Sequence, residues 1–170
     1  MTKQLLTLIA TAALATVARA ETTVKISDVH LCCKSCVTGV EKAVAKTPGV
    51  TATCDKSTVT LTGADKAAVQ KAADALVAAG YYGKSDSADV TLKDTSGAAD
   101  GKVSSLKVND VHLCCGKCVT AVQKALEKVK GVTGNTAEKN AKTFEVTGDF
   151  SPKEVFASLH ATGLTGKAGK

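Results

Sequence analysis

The sequence predicts an α+β protein built from two tandem ferredoxin-like βαββαβ units, each a four-stranded antiparallel sheet with two helices on one face. Three observations carry that expectation. The heptapeptide His30-Leu31-Cys32-Cys33-Lys34-Ser35-Cys36 returns as His112-Leu113-Cys114-Cys115-Gly116-Lys117-Cys118. Around it, Val24 to Val50 maps onto Leu106 to Val132 at a constant offset of 82 residues. Within each copy the apolar period switches from two to helical spacing and back, in the order of a split βαβ unit.

The first twenty residues read as a signal peptide. Lys3 gives a positive start, Leu5 to Val17 is an apolar run too short to span a bilayer, and Ala18-Arg19-Ala20 is a small-x-small cleavage site. The expected mature chain starts at Glu21 and is exported, periplasmic in a bacterium and otherwise secreted. In the first unit, residues 21–91, Val24 and Ile26 alternate with polar neighbours as a half-buried strand. The cysteine motif follows, and Val37, Val40, Ala43 and Val44 then recur at helical spacing until Pro48-Gly49 ends the helix. Val50, Ala52 and Cys54 alternate before the turn Asp55-Lys56-Ser57, and Val59 and Leu61 after it, as in a β-hairpin. Asp65 is placed to cap a second helix carrying Val69, Ala72, Ala73, Leu76 and Val77 and ending at Gly80, with a last strand in Tyr81 to Ser87.

Residues 92–103 have turn residues and no apolar period, so they read as a flexible linker. The second unit, residues 104–170, repeats the order. Leu106 and Val108 mark a strand, Val119, Val122, Leu126 and Val129 a helix, and Val132 to Thr136 and Thr143 to Thr147 a hairpin. A helix from Ser151-Pro152 with Val155, Phe156 and Leu159 leads to a last edge from Leu164. Pairing Gly63 with Gly148 and Gly80 with Gly163 implies a longer β-turn and a shorter second helix in this copy. Each unit has only about 70 residues, near the lower limit for a self-sufficient core.

Without Lys3 and Arg19, 20 lysines face 16 acidic residues, a net charge of about +4 with no arginine. That is an ordinary solvated surface with no bidentate fork for phosphate. The chain is also only 3% aromatic, which leaves little to stack on bases, so nucleic acid is not an expected partner. No apolar stretch after the leader is long enough to span a membrane. Catalytic acid–base pairs, nucleophile–base pairs and phosphate-cradling loops are absent from the sequence, and the expected protein is not an enzyme.

Six of the seven cysteines lie in the two heptapeptides. Clustered in this way they make a poor disulfide framework, whereas thiolates are soft metal ligands and reactive nucleophiles. In the split βαβ topology each CxxC sits in an exposed loop with its second cysteine entering a helix. There the unpaired N–H groups and the macrodipole favour a thiolate. The two-residue gap lets Cys33 and Cys36, and likewise Cys115 and Cys118, turn their sulfurs toward one point. Two thiolates with one open side suit Cu(I) better than structural zinc.

A strand, an exposed CxxC, a helix, Pro-Gly-Val, a hairpin and a second helix ending in Gly-Tyr together resemble the heavy-metal-associated domain family. Its members are copper chaperones, modules of copper- and zinc-pumping ATPases, and the periplasmic mercury-binding protein. The resemblance covers nearly all of the mature chain, twice. It implies that Cys33, Cys36, Cys115 and Cys118 are metal ligands and that Leu31 and Leu113 anchor the loop in the core. It also implies a protein that binds soft metal for delivery, sequestration or resistance, with a metal donor or acceptor protein as partner.

Two departures from the family motif Gly-Met-x-Cys-x-x-Cys occur in both copies. Histidines 30 and 112 replace the glycine, and Cys32 and Cys114 precede the first ligand. A third thiolate would favour a trigonal or bridged site for Cu(I), Hg(II), Cd(II) or As(III), with Zn(II) also a candidate. Otherwise Cys32 and Cys114 are solvent-facing thiols, and a metal-bridged dimer or intermolecular disulfides are open to them. His30 and His112 read as local hydrogen-bonding groups or as further ligands, and Cys54 as core packing or an accessory ligand. Tyr81 and Tyr82 pack or flank the site, and Lys34 and Lys117 are solvated or offset the charge of a metal dithiolate. Independent sites are the first expectation, and one ion shared by Cys33, Cys36, Cys115 and Cys118 the further possibility. A thiol–disulfide redox protein using the CxxC pairs is the alternative function.

Overall fold

The structure, a computed structural model, describes residues 21–169, so the leader reading falls on residues outside it. Twelve elements follow in order. The first unit contains β1 (Thr22–Ser27), α1 (Lys34–Val44), β2 (Val50–Asp55), β3 (Thr58–Gly63), α2 (Lys66–Ala78) and β4 (Lys84–Ser85). The second contains β5 (Val103–Asn109), α3 (Gly116–Leu126), β6 (Val132–Asn135), β7 (Thr143–Phe150), α4 (Pro152–His160) and β8 (Lys167–Ala168). The sheets are ordered β2-β3-β1-β4 and β6-β7-β5-β8, with every pairing antiparallel. This is the ferredoxin-like α+β fold, twice.

The alternation read from the sequence sets the register. Val24 faces Leu61 and Ile26 faces Val59 across β1 and β3, and all four are buried against α1 and α2. In α1 the buried stripe is Cys36, Val40, Ala43 and Val44, so the second cysteine of the motif is part of the core face. Asp65 caps α2 by accepting from the Ala68 N–H at 2.8 Å. The second unit shows the longer β6–β7 turn, and α4 has 9 residues where α2 has 13.

The closing strands are shorter than expected. Instead of continuing along β1, Tyr81 forms an antiparallel bridge with Leu164, its counterpart in the other unit. Beside this bridge the Tyr82 N–H donates to the Gly163 carbonyl and the Thr165 N–H to the Gly80 carbonyl, both at 3.0 Å. These two bonds exchange under the alignment of the repeats, so the units meet about a pseudo-twofold axis at the Tyr81–Leu164 bridge. Gly80 (φ +87) lies against the backbone of Asp110 to His112, and Gly163 (φ +78) against that of Asp28 to His30. Each second helix therefore ends on the cysteine loop of the other unit.

The connecting segment also makes contacts. Ser96 is buried, the Ala168 N–H donates to its carbonyl at 2.7 Å, and the Tyr82 hydroxyl donates to the Leu92 carbonyl at 2.8 Å. No helix among the described residues is long and apolar enough to cross a membrane.

Candidate metal centre

In each unit the first strand leads into the cysteine loop through an aspartate in the left-handed region, Asp28 (φ 61) or Asp110 (φ 58). Such a backbone is unusual for a residue other than glycine, and aspartate tolerates it better than most. Cys33 and Cys115 then take extended backbone at the N-caps of α1 and α3, which places Cys36 and Cys118 in the first helical turn. Both of these are fully buried, while Cys32, Cys33, Cys114 and Cys115 are half-buried.

The sequence reading put one site in each unit, but the seam draws the two motifs against each other. Six sulfurs meet. Within the motifs the Sγ atoms of Cys33 and Cys36 are 3.8 Å apart, and so are those of Cys115 and Cys118. Between motifs, Cys114 lies 3.6 Å from Cys33 and 3.4 Å from Cys36, and Cys32 lies 3.3 Å from Cys115 and 3.6 Å from Cys118. The extra cysteine of each copy thus lies against the CxxC pair of the other. Cys36 and Cys118, 3.9 Å apart, straddle the pseudo-twofold axis. All six are free thiols, as is Cys54. Cys54 lies on β2 opposite Val59, packed against the core and outside this cluster.

Electrostatics divide the sulfurs. The close contact between Cys36 and Cys118 pulls the Cys36 thiol well below the ordinary range and pushes Cys118 up, burial adding to the rise. Cys115 is pulled down to about 6, first by the Cys118 backbone N–H at the start of α3. Burial, and then a hydrogen bond to Cys115, pushes Cys32 up to about 12; burial and then Cys36 raise Cys114.

The histidines are the other half of the centre. His30 and His112 each bury an Nε2 that has no hydrogen-bond partner among the described residues. A His30 ring nitrogen lies within 4.8 Å of the Cys32 and Cys118 sulfurs, and His112 is near enough to Cys36 to help lower its pKa. Burial lowers the His30 pKa, so its neutral form is favoured. Tyr81 is 1% exposed, donates its hydroxyl to the Cys36 carbonyl at 2.8 Å, and stands 4.7 Å from the His112 ring. It therefore both packs and flanks the site. Tyr82 stacks on His160 of the other unit at 3.7 Å. Leu113 is buried as the resemblance implies, whereas Leu31 is half-buried. Lys34 and Lys117 are exposed at the rim.

Sequence reasoning missed the seam residues Gly80, Gly163, Leu164 and Thr165. The only trace they leave is a glycine after the second helix in both copies, where a helix C-cap accounts for it equally well.

No family model matches the chain. It is 37% identical over 67 residues to the protein Sodium Potassium Root Defective 3 of Arabidopsis thaliana, a match covering 39% of this chain and 27% of that protein. The chain therefore spans about a quarter of that relative's length. Among solved structures it is similar to the N-terminal soluble domains of Bacillus subtilis CopA, at 15% identity and a TM-score of 0.31, covering 89% of this chain and 95% of that one. It is also similar to the first two RRM domains of yeast poly(U) binding protein Pub1, at 9% identity and a TM-score of 0.27, covering 87% and 98%. A cluster of thiols with two imidazoles beside it can hold a soft metal ion.

Proposed function

We propose that the chain is a non-enzymatic, exported protein that binds soft metal, with Cu(I) as the cargo, and that it sequesters the ion more than it hands it on. One observation carries this reading: the six motif cysteines converge as free thiols, with Cys36 and Cys118 fully buried beneath the others. Among the first-row metals thiolates favour Cu(I) and zinc, and of these Cu(I) is satisfied by two or three sulfurs while structural zinc wants four. The outer sulfurs of Cys32, Cys33 and Cys115 line an open cleft with Gly116, Lys117 and Thr120, whereas Cys36 and Cys118 are fully buried, out of a partner's direct reach. The ligands in this reading are Cys33, Cys36, Cys115 and Cys118, joined by Cys32 and Cys114. Zn(II), Hg(II), Cd(II) and As(III) are the alternative cargoes for the same donors, and a metal donor or acceptor protein would reach the ion through the cleft.

The test is anaerobic competition for Cu(I) between the reduced protein and a chromophoric chelator. The wild type is expected to strip the chelator, and Cys36→Ser/Cys118→Ser to lose that capacity at least tenfold, which corresponds to about 1.4 kcal/mol. Equal competition by the variant would defeat the reading.

A further inference from the structure

The six sulfurs can be read as a polyhedron. Nine Sγ–Sγ distances fall between 3.3 and 3.9 Å. The groups Cys32-Cys33-Cys115 and Cys114-Cys115-Cys118 close within 4.8 Å and supply three further, looser edges. The pairs Cys32–Cys114, Cys33–Cys118 and Cys36–Cys115 belong to no close group and stand opposite one another. That is the connectivity of an octahedron. Four of its triangular faces touch only at corners: Cys33-Cys36-Cys114, Cys32-Cys36-Cys118, Cys32-Cys33-Cys115 and Cys114-Cys115-Cys118. Each sulfur is a corner of two of them.

We propose that the two motifs together build one tetranuclear Cu(I)–thiolate cage, with one ion on each of these four faces and every cysteine bridging two ions. The proposal rests on the soft-metal reading above and adds its nuclearity and geometry. An ion at the centre of a face with 3.8 Å edges lies about 2.2 Å from each sulfur, close to the roughly 2.3 Å of a zinc–thiolate bond. Three sulfurs per ion satisfy Cu(I), whereas a divalent ion that wants four closed ligands is left one short on every face. The stoichiometry explains the departure from the two-cysteine motif. With Cys32 and Cys114 removed, each of the four faces loses a corner and only the two CxxC pairs survive.

The step is ligand exchange without redox. Four Cu(I) ions enter, the sulfurs that still carry protons release them to solvent, and no electron moves. Six thiolates around four monovalent ions leave a charge of −2 on the cage. Two imidazoles, each with a buried, unpartnered Nε2, stand beside the cage where an N–H donor can offset it, His30 by Cys32 and Cys118 and His112 by Cys36. The face Cys32-Cys33-Cys115 lines the open cleft and serves as the entry side, and Cys36 and Cys118 form the floor.

The experiment is anaerobic Cu(I) titration of the reduced full chain, followed by native mass spectrometry and copper X-ray absorption. The wild type is expected to pass from the metal-free form to a four-copper form with few intermediates. It should also show a copper–copper distance of about two-thirds of the sulfur edge, or about 2.5 Å. Cys32→Ser/Cys114→Ser should bind no more than two ions and lose the copper–copper signal, while Cys54→Ser should still bind four. Saturation of the wild type at one or two ions without that signal overturns the cage and leaves the soft-metal reading standing. Four ions in Cys32→Ser/Cys114→Ser also overturns it, and failure to retain Cu(I) at all defeats both.

Discussion

At the scale of the residue, the centre treats chemically identical thiols differently. Cys115 is held down to about 6 by the helix N-terminus, while burial drives Cys32 up to about 12. The thiolate is the reactive form, so at pH 7 in the metal-free protein Cys115 is expected to be alkylated at least about tenfold faster than Cys32. Timed iodoacetamide labelling with peptide mapping measures this, and equal rates would rule out the assignment. The cysteines themselves were legible in the sequence, since reactive thiols gathered twice as CCxxC exceed what core packing requires. Their partners were not. Nothing in the order of residues says that Cys114 lies against Cys33 and Cys36 as well as beside its own Cys118, because that follows from docking across 81 residues. His30 and His112 were legible only as departures from a motif, and their buried nitrogens facing the sulfurs became visible once both loops were in place.

At the scale of the element, periodicity placed every helix and each hairpin, because the buried faces of β1, β3, α1 and α2 are written in alternation and helical spacing. It overran at β4 and β8, since Tyr81 and Leu164 leave their own sheets to pair with each other. That seam makes Gly163 a sharp test. Its φ of +78 disfavours any side chain, and a Cβ there would come 2.3 Å from the Asp28 carbonyl oxygen and 2.4 Å from the His30 nitrogen. Gly97, with φ +67, has open space around it. Gly97→Ala is therefore the control for backbone strain alone, worth about 1 kcal/mol. Gly163→Ala is expected to cost about 2 kcal/mol more than the control and to lower the melting temperature by a further ~4 °C or more. Equal melting temperatures for the two variants would show that the docked seam contributes nothing to stability.

At the scale of the molecule, pH and metal act on the joint between the units. His160 stacks on Tyr82 across the seam, its Nε2 lies 2.9 Å from the Thr165 hydroxyl and 4.0 Å from Asp94, and burial lowers its pKa below the ordinary 6.5 with Asp94 partly opposing. A depressed histidine pKa means that the unfolded chain takes up the proton first, so stability falls as pH drops below about 6.5. The urea midpoint of the metal-free protein is expected to fall between about pH 7.5 and about pH 5.5, and less so in His160→Gln. Identical pH profiles in the two proteins would remove His160 from the account.

Metal works in the opposite direction and joins the units. A ligand that binds only the folded state adds about 4 kcal/mol when present at about a thousand times its dissociation constant. If the sulfurs of both units share that ligand, the gain belongs to both. The chain offers a natural reporter, since it has no tryptophan and both of its tyrosines, Tyr81 and Tyr82, lie in the first unit. Tyrosine fluorescence therefore follows the first unit and the seam where these tyrosines meet His112 and His160, while far-ultraviolet circular dichroism follows both units as a whole. With Cu(I) bound, the two probes are expected to give one coincident transition, shifted upward from the metal-free protein. In Cys115→Ser/Cys118→Ser the lesions lie wholly in the second unit, yet the upward shift seen by tyrosine fluorescence should disappear, because two sulfurs of the shared cluster are gone. A tyrosine transition that still rises to the wild-type value on loading would mean that Cys33 and Cys36 bind metal independently. The close approach of the two motifs would then be packing without a chemical role.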